Sequence, residues 1–435
     1  MQTESYPYYY TKTKYPSLFS VIFGNFIEYY DYALYGFLAT VMAQHFFPPP
    51  SESVALIQTF GVFAIGSLAK PFGALVFGSI GDRTGRKLAL KWNMLGIAVP
   101  TFIIALLPGY LTWGLWSPLC LIICRVFQGF FLGGENDGVR IYVLEYVKNY
   151  PCFANSMTSL SSSLGIYVAS FLASQVLNFS HYETLWPLLF AFGGVMSVVV
   201  FLIRRYIHET PVYTRAKQTS LHSWKSILKT NYMAFISTIL LTGSVGGMYH
   251  FFMIFLGSYL SKILNIISLE NAAYQVSISI LCYTISAPLG GFIADILGAR
   301  RVMYYSGFLL LLSTMSVSYC IMHNTVHLPY FVMVSIFLGI FSAPCYVLII
   351  NQFQVKDRYR SIAVGHALGS MTFSGTTPVI AMTLWKFTQQ SWVVFGYFIF
   401  LLIIGFMALH FLKCNAFQYA EKYIELHTET SMEKR

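Results

Sequence analysis

Seven ionisable side chains stand inside stretches that are otherwise apolar: Glu28, Asp31, Lys70, Arg125, Glu135, Asp137 and Arg140. A charge held away from water is costly, so such groups face one another, a cavity or a ligand. A buried carboxylate beside a cation can hold a proton in one state and release it in another. Glu28, Asp31 and Glu135 are therefore candidate proton-coupling residues. Lys70, Arg125 and Arg140 are candidates to pair with them or to bind an anionic part of a substrate, because a guanidinium fork matches a carboxylate. Glu28 and Asp31 are three residues apart, on one face of a helix. At about 1.5 Å per residue, Glu28, Lys70 and Glu135 fall about 16–17 Å from the cytoplasmic ends of their segments. Three helices thus bring charge to one level. Asp137 and Arg140 either neutralise each other or leave Arg140 free to select an anion. The alternative for the whole set is a fixed ion-pair network that orients helices.

The elements that must position these charges are membrane spans. Of 435 residues, 56% are hydrophobic and 10% charged, and mean hydropathy is +0.61. A soluble domain carries about a quarter charged residues, so an ordinary cytosolic enzyme, a disulfide scaffold and a disordered chain are excluded. A span needs about 20 mainly apolar residues. Twelve are expected: 17–47, 54–81, 87–107, 117–147, 152–177, 185–204, 231–264, 271–297, 302–322, 328–354, 361–389 and 391–412. The fold class is an all-α membrane protein. Its domains are a cytoplasmic tail 1–16, a six-helix bundle 17–204, a central cytoplasmic loop 205–230, a second six-helix bundle 231–412 and a cytoplasmic tail 413–435. The first sixteen residues lack a cleavable apolar core, so the first span is expected to serve as an uncleaved targeting signal.

Lys and Arg set the orientation. On this division, 22 of the 27 basic residues fall on one side, among them Arg83, Arg86, Arg204, Arg300 and Arg358. Only Lys262 and Lys386 fall on the other. Both termini are therefore expected in the cytoplasm. The formal charge of +10 is then a topology signal, and no nucleic-acid partner is implied. Most of the seven cysteines lie within spans, where apolar packing is their expected role.

The sequence GSIGDRTGRK (Gly78–Lys87) after the second span returns as GFIADILGARR (Gly291–Arg301) after the eighth. Glycines permit close helix approach and sharp turns. Asp82 is placed to cap a helix or pair with a base. Gly78, Asp82, Arg83, Gly85, Arg86, Asp295 and Arg300 are read as a conformational gating loop. A repeated half is how many transporters are built, with the substrate site between the halves.

The first of these loops resembles the signature of the major facilitator superfamily. RVFQGFFLGGE (Arg125–Glu135) resembles that superfamily's fourth-span pattern. GNFIEYYDYALYG (Gly24–Gly36), FAIGSLAKPFGALVFG (Phe63–Gly78) and FSGTTP (Phe373–Pro378) resemble its metabolite:proton symporter branch, which includes importers of proline and betaine, citrate, 2-oxoglutarate and shikimate. The branch usually reads GGEYGGAATYLAE where this chain has GGENDGVRIYVLE (Gly133–Glu145). Asn136, Asp137 and Arg140 are departures, and Lys70 stands where Arg is common. The resemblance implies twelve helices in two six-helix pseudo-repeats. It also implies a cavity lined by the seventh span, where Tyr249 and His250 are candidate substrate-binding residues; His366 is a weaker candidate.

The expected function is secondary active, proton-coupled import of a small organic solute by alternating access, in the bacterial cytoplasmic membrane and as a functional monomer. Its partners are the lipid bilayer, the substrate and protons. The fifth span, Asn155–Gln175, lacks the proline of drug antiporters, which favours import over export. A carboxylate, including a carboxylate siderophore, suits Arg140; a zwitterion is the rival. A non-transporting solute sensor would be expected to carry a large soluble domain. No HExxH, GxSxG or Walker pattern is present. No enzymatic activity, cofactor or metal is expected.

Overall fold

The computed structural model describes residues 9–47, 62, 65–66, 68–147, 149–177, 182–216 and 222–412. The tails expected at 1–16 and 413–435 lie wholly or partly outside these residues, as does the opening of the second expected span.

The described residues are helical, with no strands among them. The long segments are α1 (Tyr9–Phe37, continued by Ala39–Phe46), α2 (Lys70–Arg83), α3 (Arg86–Leu106), α4 (Trp116–Tyr146), α5 (Pro151–Leu177), α6 (Tyr182–Ile203), α7 (Trp224–His250), α8 (Leu269–Leu297), α9 (Ala299–Met322), α10 (Leu328–Ser342, continued by Cys345–Ile350), α11 (Val355–Gly369, continued by Thr377–Thr388) and α12 (Ser391–Phe411). Among the described residues, eight stretches are long and apolar enough to cross a membrane. Large apolar side chains such as Phe72, Leu106, Leu289 and Phe308 face outward. In water such a surface would aggregate; in a bilayer it is the solvent-matched face.

Helix breaks follow local chemistry. Gly85 (φ +116°) and Gly298 (φ +97°) turn the chain between α2 and α3 and between α8 and α9. Both are conformations that a β-carbon disfavours. α7 begins at Trp224, inside the expected central loop, and Asn231 interrupts it with a non-helical φ of −128°. The apolar part of α7 therefore starts where the sequence places the span. Ser223 caps its first turn by accepting from Ser226 N–H. Beyond His250, α7 widens into π-helical turns at Phe251–Phe255 and Tyr259–Ile263, and α11 does so at Ser370–Ser374. Such turns cluster at functional sites. Gln389, with φ +53°, ends α11 two residues before α12 begins.

The two halves are filled differently. The second half is filled by one continuous apolar core, Leu241 to Leu412, which also takes in Ala74, Ala89, Ile141 and Cys152 of the first half. In the first half the apolar residues fall largely into three separate clusters, and buried polar side chains occupy positions between them.

Candidate functional site

The first buried polar group centres on Arg204. Its sequence neighbourhood, Arg204–Arg205 at the end of α6, reads as a cytoplasmic anchor. In the structure the guanidinium turns inward and is fully buried. Arg204 Nη2 lies 2.6 Å from Glu135 Oε1, and Nη1 donates to the Leu90 carbonyl at 2.6 Å. Gly24 on α1 makes room, since a β-carbon there would collide with Nη2. Glu28 is buried beside this pair. It interacts electrostatically with Glu135, Arg204 and Lys70, and neither of its oxygens has a hydrogen-bond partner among the described residues. Two carboxylates thus face one guanidinium.

Asp31 belongs to a second group, although it is only one turn from Glu28. Its Oδ2 lies 3.3 Å from Thr101 Oγ1 and 3.4 Å from Ser197 Oγ. Gln128 Nε2 donates to Thr101 Oγ1 at 2.8 Å, and Arg125 Nη1 donates to Gln128 Oε1 at 2.9 Å. Arg125 also lies over the Tyr35 ring, 4.4 Å from its centroid. A pocket lined by Glu28, Asp31, Tyr32, Arg125 and Gln128 joins the two groups.

Between the halves the cations and rings form a third cluster. Lys70 Nζ sits 4.3 Å from the Tyr32 ring centroid and interacts electrostatically with His250 on α7. His250 Nδ1 lies 2.7 Å from the Gly246 carbonyl on its own helix, and Tyr249 packs edge-on against Tyr283 at 5.1 Å. Arg140 reaches Asn136 Oδ1 at 3.3 Å and Ser159 Oγ at 3.4 Å. Its guanidinium lies 4.2 Å from the ring centroid of Tyr346, in the opposite half. Among the described residues no acidic side chain pairs with it in an ion pair. Asp137 is turned elsewhere: its Oδ2 lies 3.0 Å from His366 Nδ1 on α11. Mutual neutralisation of Asp137 and Arg140 by a direct ion pair is therefore not what the structure shows.

The repeated loops lie where the halves meet. Gly78 and Gly81 face α11, where a β-carbon on Gly78 would stand 2.5 Å from Arg360 Cα and one on Gly81 would overlap the Tyr359 ring. This close approach lets Asp82 accept the backbone N–H groups of Tyr359 and Arg360 at 3.1 and 3.0 Å. Arg86 is buried and links Asp82 (3.0 Å), Glu145 (3.2 Å) and the Val355 carbonyl (2.7 Å). Arg358 pairs with Glu145 at 3.1 Å. Glu209 receives the N–H groups of Arg86 and Lys87. Arg83 itself is exposed and offers only its carbonyl, to Tyr213 Oη.

The second seam repeats the plan with fewer parts. A β-carbon on Gly291 would stand 2.6 Å from the Cys152 carbonyl. Asp295 accepts the N–H groups of Cys152 and Phe153 at 2.9 Å each, at the start of α5. A carboxylate there satisfies orphan donors and meets the positive end of the helix dipole. Arg300 donates instead to the Leu412 carbonyl within its own half.

Sequence reasoning missed the partners of Arg204 and Arg358, the role of Tyr346, and the cluster of Arg360, Asp357 and His222, and it ranked His366 low. Their signals were weak because each looks like a loop base or a packing ring until its partner from a distant helix is known.

Residues 18–232 match the family model for "Sugar (and other) transporter". The chain is 29% identical over 388 residues to a citrate-proton symporter of Klebsiella pneumoniae, covering 86% of each chain. It is 26% identical over 402 residues to a proline/betaine transporter of Salmonella typhimurium, covering 88% of this chain and 80% of that one. The solved proton:xylose symporter XylE superposes with a TM-score of 0.72 at 14% identity, covering 92% of this chain and 95% of that one.

Proposed function

We propose that the chain is a member of the major facilitator superfamily, in its metabolite:proton symporter branch, and that it imports a small carboxylate together with protons. It is a secondary active transporter and a multi-pass membrane protein rather than an enzyme. The observation that carries the substrate reading is Arg140. Its half-buried guanidinium makes no direct ion pair among the described residues and lies over a ring of the opposite half. A cation so placed, with Asp137 turned to His366, is open to a ligand carboxylate. Lys70, near His250, extends the same positive lining, and Tyr249 and His250 complete the wall from the second half.

Glu28 and Asp31 are the proposed proton carriers, with Glu135 sharing the Arg204 guanidinium. Two carboxylates on one cation favour one bound proton. The seams built on Asp82 and Asp295 hold the proposed cytoplasmic side closed, with Gly78, Gly85 and Arg86 shaping the first and Arg300 fastening α9 beside the second. Opening to the cytoplasm requires α2 to leave α11 and α5 to leave α8. Both termini are proposed to be cytoplasmic, the site a bacterial cytoplasmic membrane, and the working unit a monomer with no nucleic-acid partner. The basic residues flanking the spans support this sidedness.

The test is accumulation of labelled carboxylates and betaine in vesicles bearing an imposed pH gradient. Carboxylate uptake should follow the gradient, and Arg140→Ala should abolish it. Glu28→Gln and Asp31→Asn should abolish accumulation against a gradient while leaving insertion intact. Full coupled uptake in both carboxylate variants would remove the proton assignment. Uptake of betaine alone would overturn the carboxylate reading.

A further inference from the structure

At the end of the molecule that carries the repeated loops, α3 begins beside the end of α6. Three basic side chains of these two segments converge there, and neither the transport site nor the seams use them. Lys87 and Lys91 are one turn apart on α3, and Arg205 follows the last residue of α6 by two. Lys91 Nζ lies 5.2 Å from the centroid of the Phe201 ring and 5.9 Å from that of Trp92. The Arg205 guanidinium lies 5.3 Å from the same Phe201 ring. Lys87 Nζ donates to the Arg205 carbonyl at 2.9 Å. Among the described residues no acidic side chain forms an ion pair with any of the three. Glu209 is near the start of α3, and its carboxylate accepts the backbone N–H groups of Arg86, Lys87 and Thr210.

We propose that Lys87, Lys91 and Arg205 bind the phosphate of an anionic phospholipid, whose acyl chains lie against the outer faces of α3 and α6. The inference rests on the membrane setting of the chain and is independent of the carboxylate reading.

The chemistry follows from the three cations and from the surface beside them. Like charges gathered around one ring repel one another, and a phosphate among them replaces that repulsion with attraction. The Phe201 face holds the Lys91 and Arg205 heads near each other by cation–π contact. A guanidinium then offers a phosphate a bidentate fork, and an ammonium adds a point charge. The level suits a headgroup. Lys91 stands about 8 Å along the axis of α3 from its start, and a long basic stem carries its head to the boundary of hydrocarbon and water. The neighbouring surface selects a lipid over a free phosphate. Helical spacing puts Trp92 and Val99 on one face of α3, and Val195, Val199 and Leu202 on one face of α6; all five are exposed. The Trp92 ring meets Phe201 at 6.5 Å, which joins this apolar surface to the cations. Tryptophan is the residue that gathers at the headgroup level.

The test is quenching of tryptophan fluorescence in the full-length protein, reconstituted in phosphatidylcholine bilayers and titrated with brominated phosphatidylglycerol or, as reference, brominated phosphatidylcholine. The wild-type protein should prefer phosphatidylglycerol by about tenfold or more, at about fivefold for each cation engaged. Trp92→Phe should remove most of the preferential quenching, which places the lipid at α3. The double variant Lys91→Gln, Arg205→Gln should bring the preference within about twofold of none. The double variant Lys225→Gln, Lys229→Gln removes the same charge from the start of α7 and should keep the preference, as should Lys91→Arg. Equal losses in the two double variants would reduce the effect to diffuse surface charge and overturn the site. Loss of the preference on adding millimolar inorganic phosphate at constant ionic strength would assign the cations to a free anion and overturn the lipid reading. A wild-type protein that does not distinguish the two lipids overturns the proposal outright.

Discussion

The two halves of this protein are both helical and fill their interiors differently. The first half buries carboxylates and guanidiniums between apolar clusters; the second is a continuous core of aliphatic and aromatic side chains. The seams between them differ in the same way. At the first, Asp82 receives two N–H groups of α11 and is tied into Arg86, Glu145 and Arg358. At the second, Asp295 receives two N–H groups of α5, and no ion pair involves it among the described residues. The shared part is the geometric device: a glycine that admits a neighbouring helix and an aspartate that accepts its donors. Among the described residues the charged network is present at the first seam only. The two seams are thus alike in shape and different in electrostatics, and salt or charge substitutions should act mainly on the first.

The largest test of this asymmetry lies inside the bundles. Arg204→Ala leaves Glu135 buried without its cation, which should cost about 3–5 kcal/mol. A thermal melt in detergent should show it as a large loss, while Arg300→Ala, whose guanidinium only reaches a carbonyl in its own half, should cost about 1 kcal/mol. Equal losses would dissolve the contrast between the halves. At the seams, Gly81→Val forces a side chain into the Tyr359 ring. Overpacking of this kind costs about 1–3 kcal/mol, so the packed α2–α11 seam should lose about tenfold or more in population, read by labelling of a cysteine placed on α11 at that seam. Asp82→Asn should follow, at about 2 kcal/mol, because a charge-assisted network is broken; Asp295→Asn should cost about 1 kcal/mol by the same readout. A larger effect at Asp295 would reverse the comparison. The smallest change is expected for Arg358→Gln, under about 1 kcal/mol, since Glu145 keeps Arg86.

Much of this was legible beforehand. The spans, the repeated loop and the confinement of mid-span charge to one half can all be read from composition and period. The Asp82 and Asp295 loops could be matched by eye, and their glycines anticipated as sites of close approach. Asp31 and Glu28 were legible as charges inside a span, but their separation into two groups was not. One helical turn places them on one broad face, and only the flanking helices α3, α4 and α6 decide which polar atoms each one meets. The partner of Arg204 was not legible, because the long flexible stem of an arginine at a span end lets its head fold back to a buried acid.

The amino-acid sequence by itself determined how the chain partitions. Apolar length and the positions of lysine and arginine are local properties, and water and lipid act on them locally. The tertiary structure alone decided who pairs with whom. Asp137 could meet Arg140 three residues away, yet it meets His366, and the Arg140 guanidinium instead lies over Tyr346. Those choices depend on which turns of α4, α10 and α11 stand opposite one another, a matter of helix crossing between distant segments that no local pattern encodes.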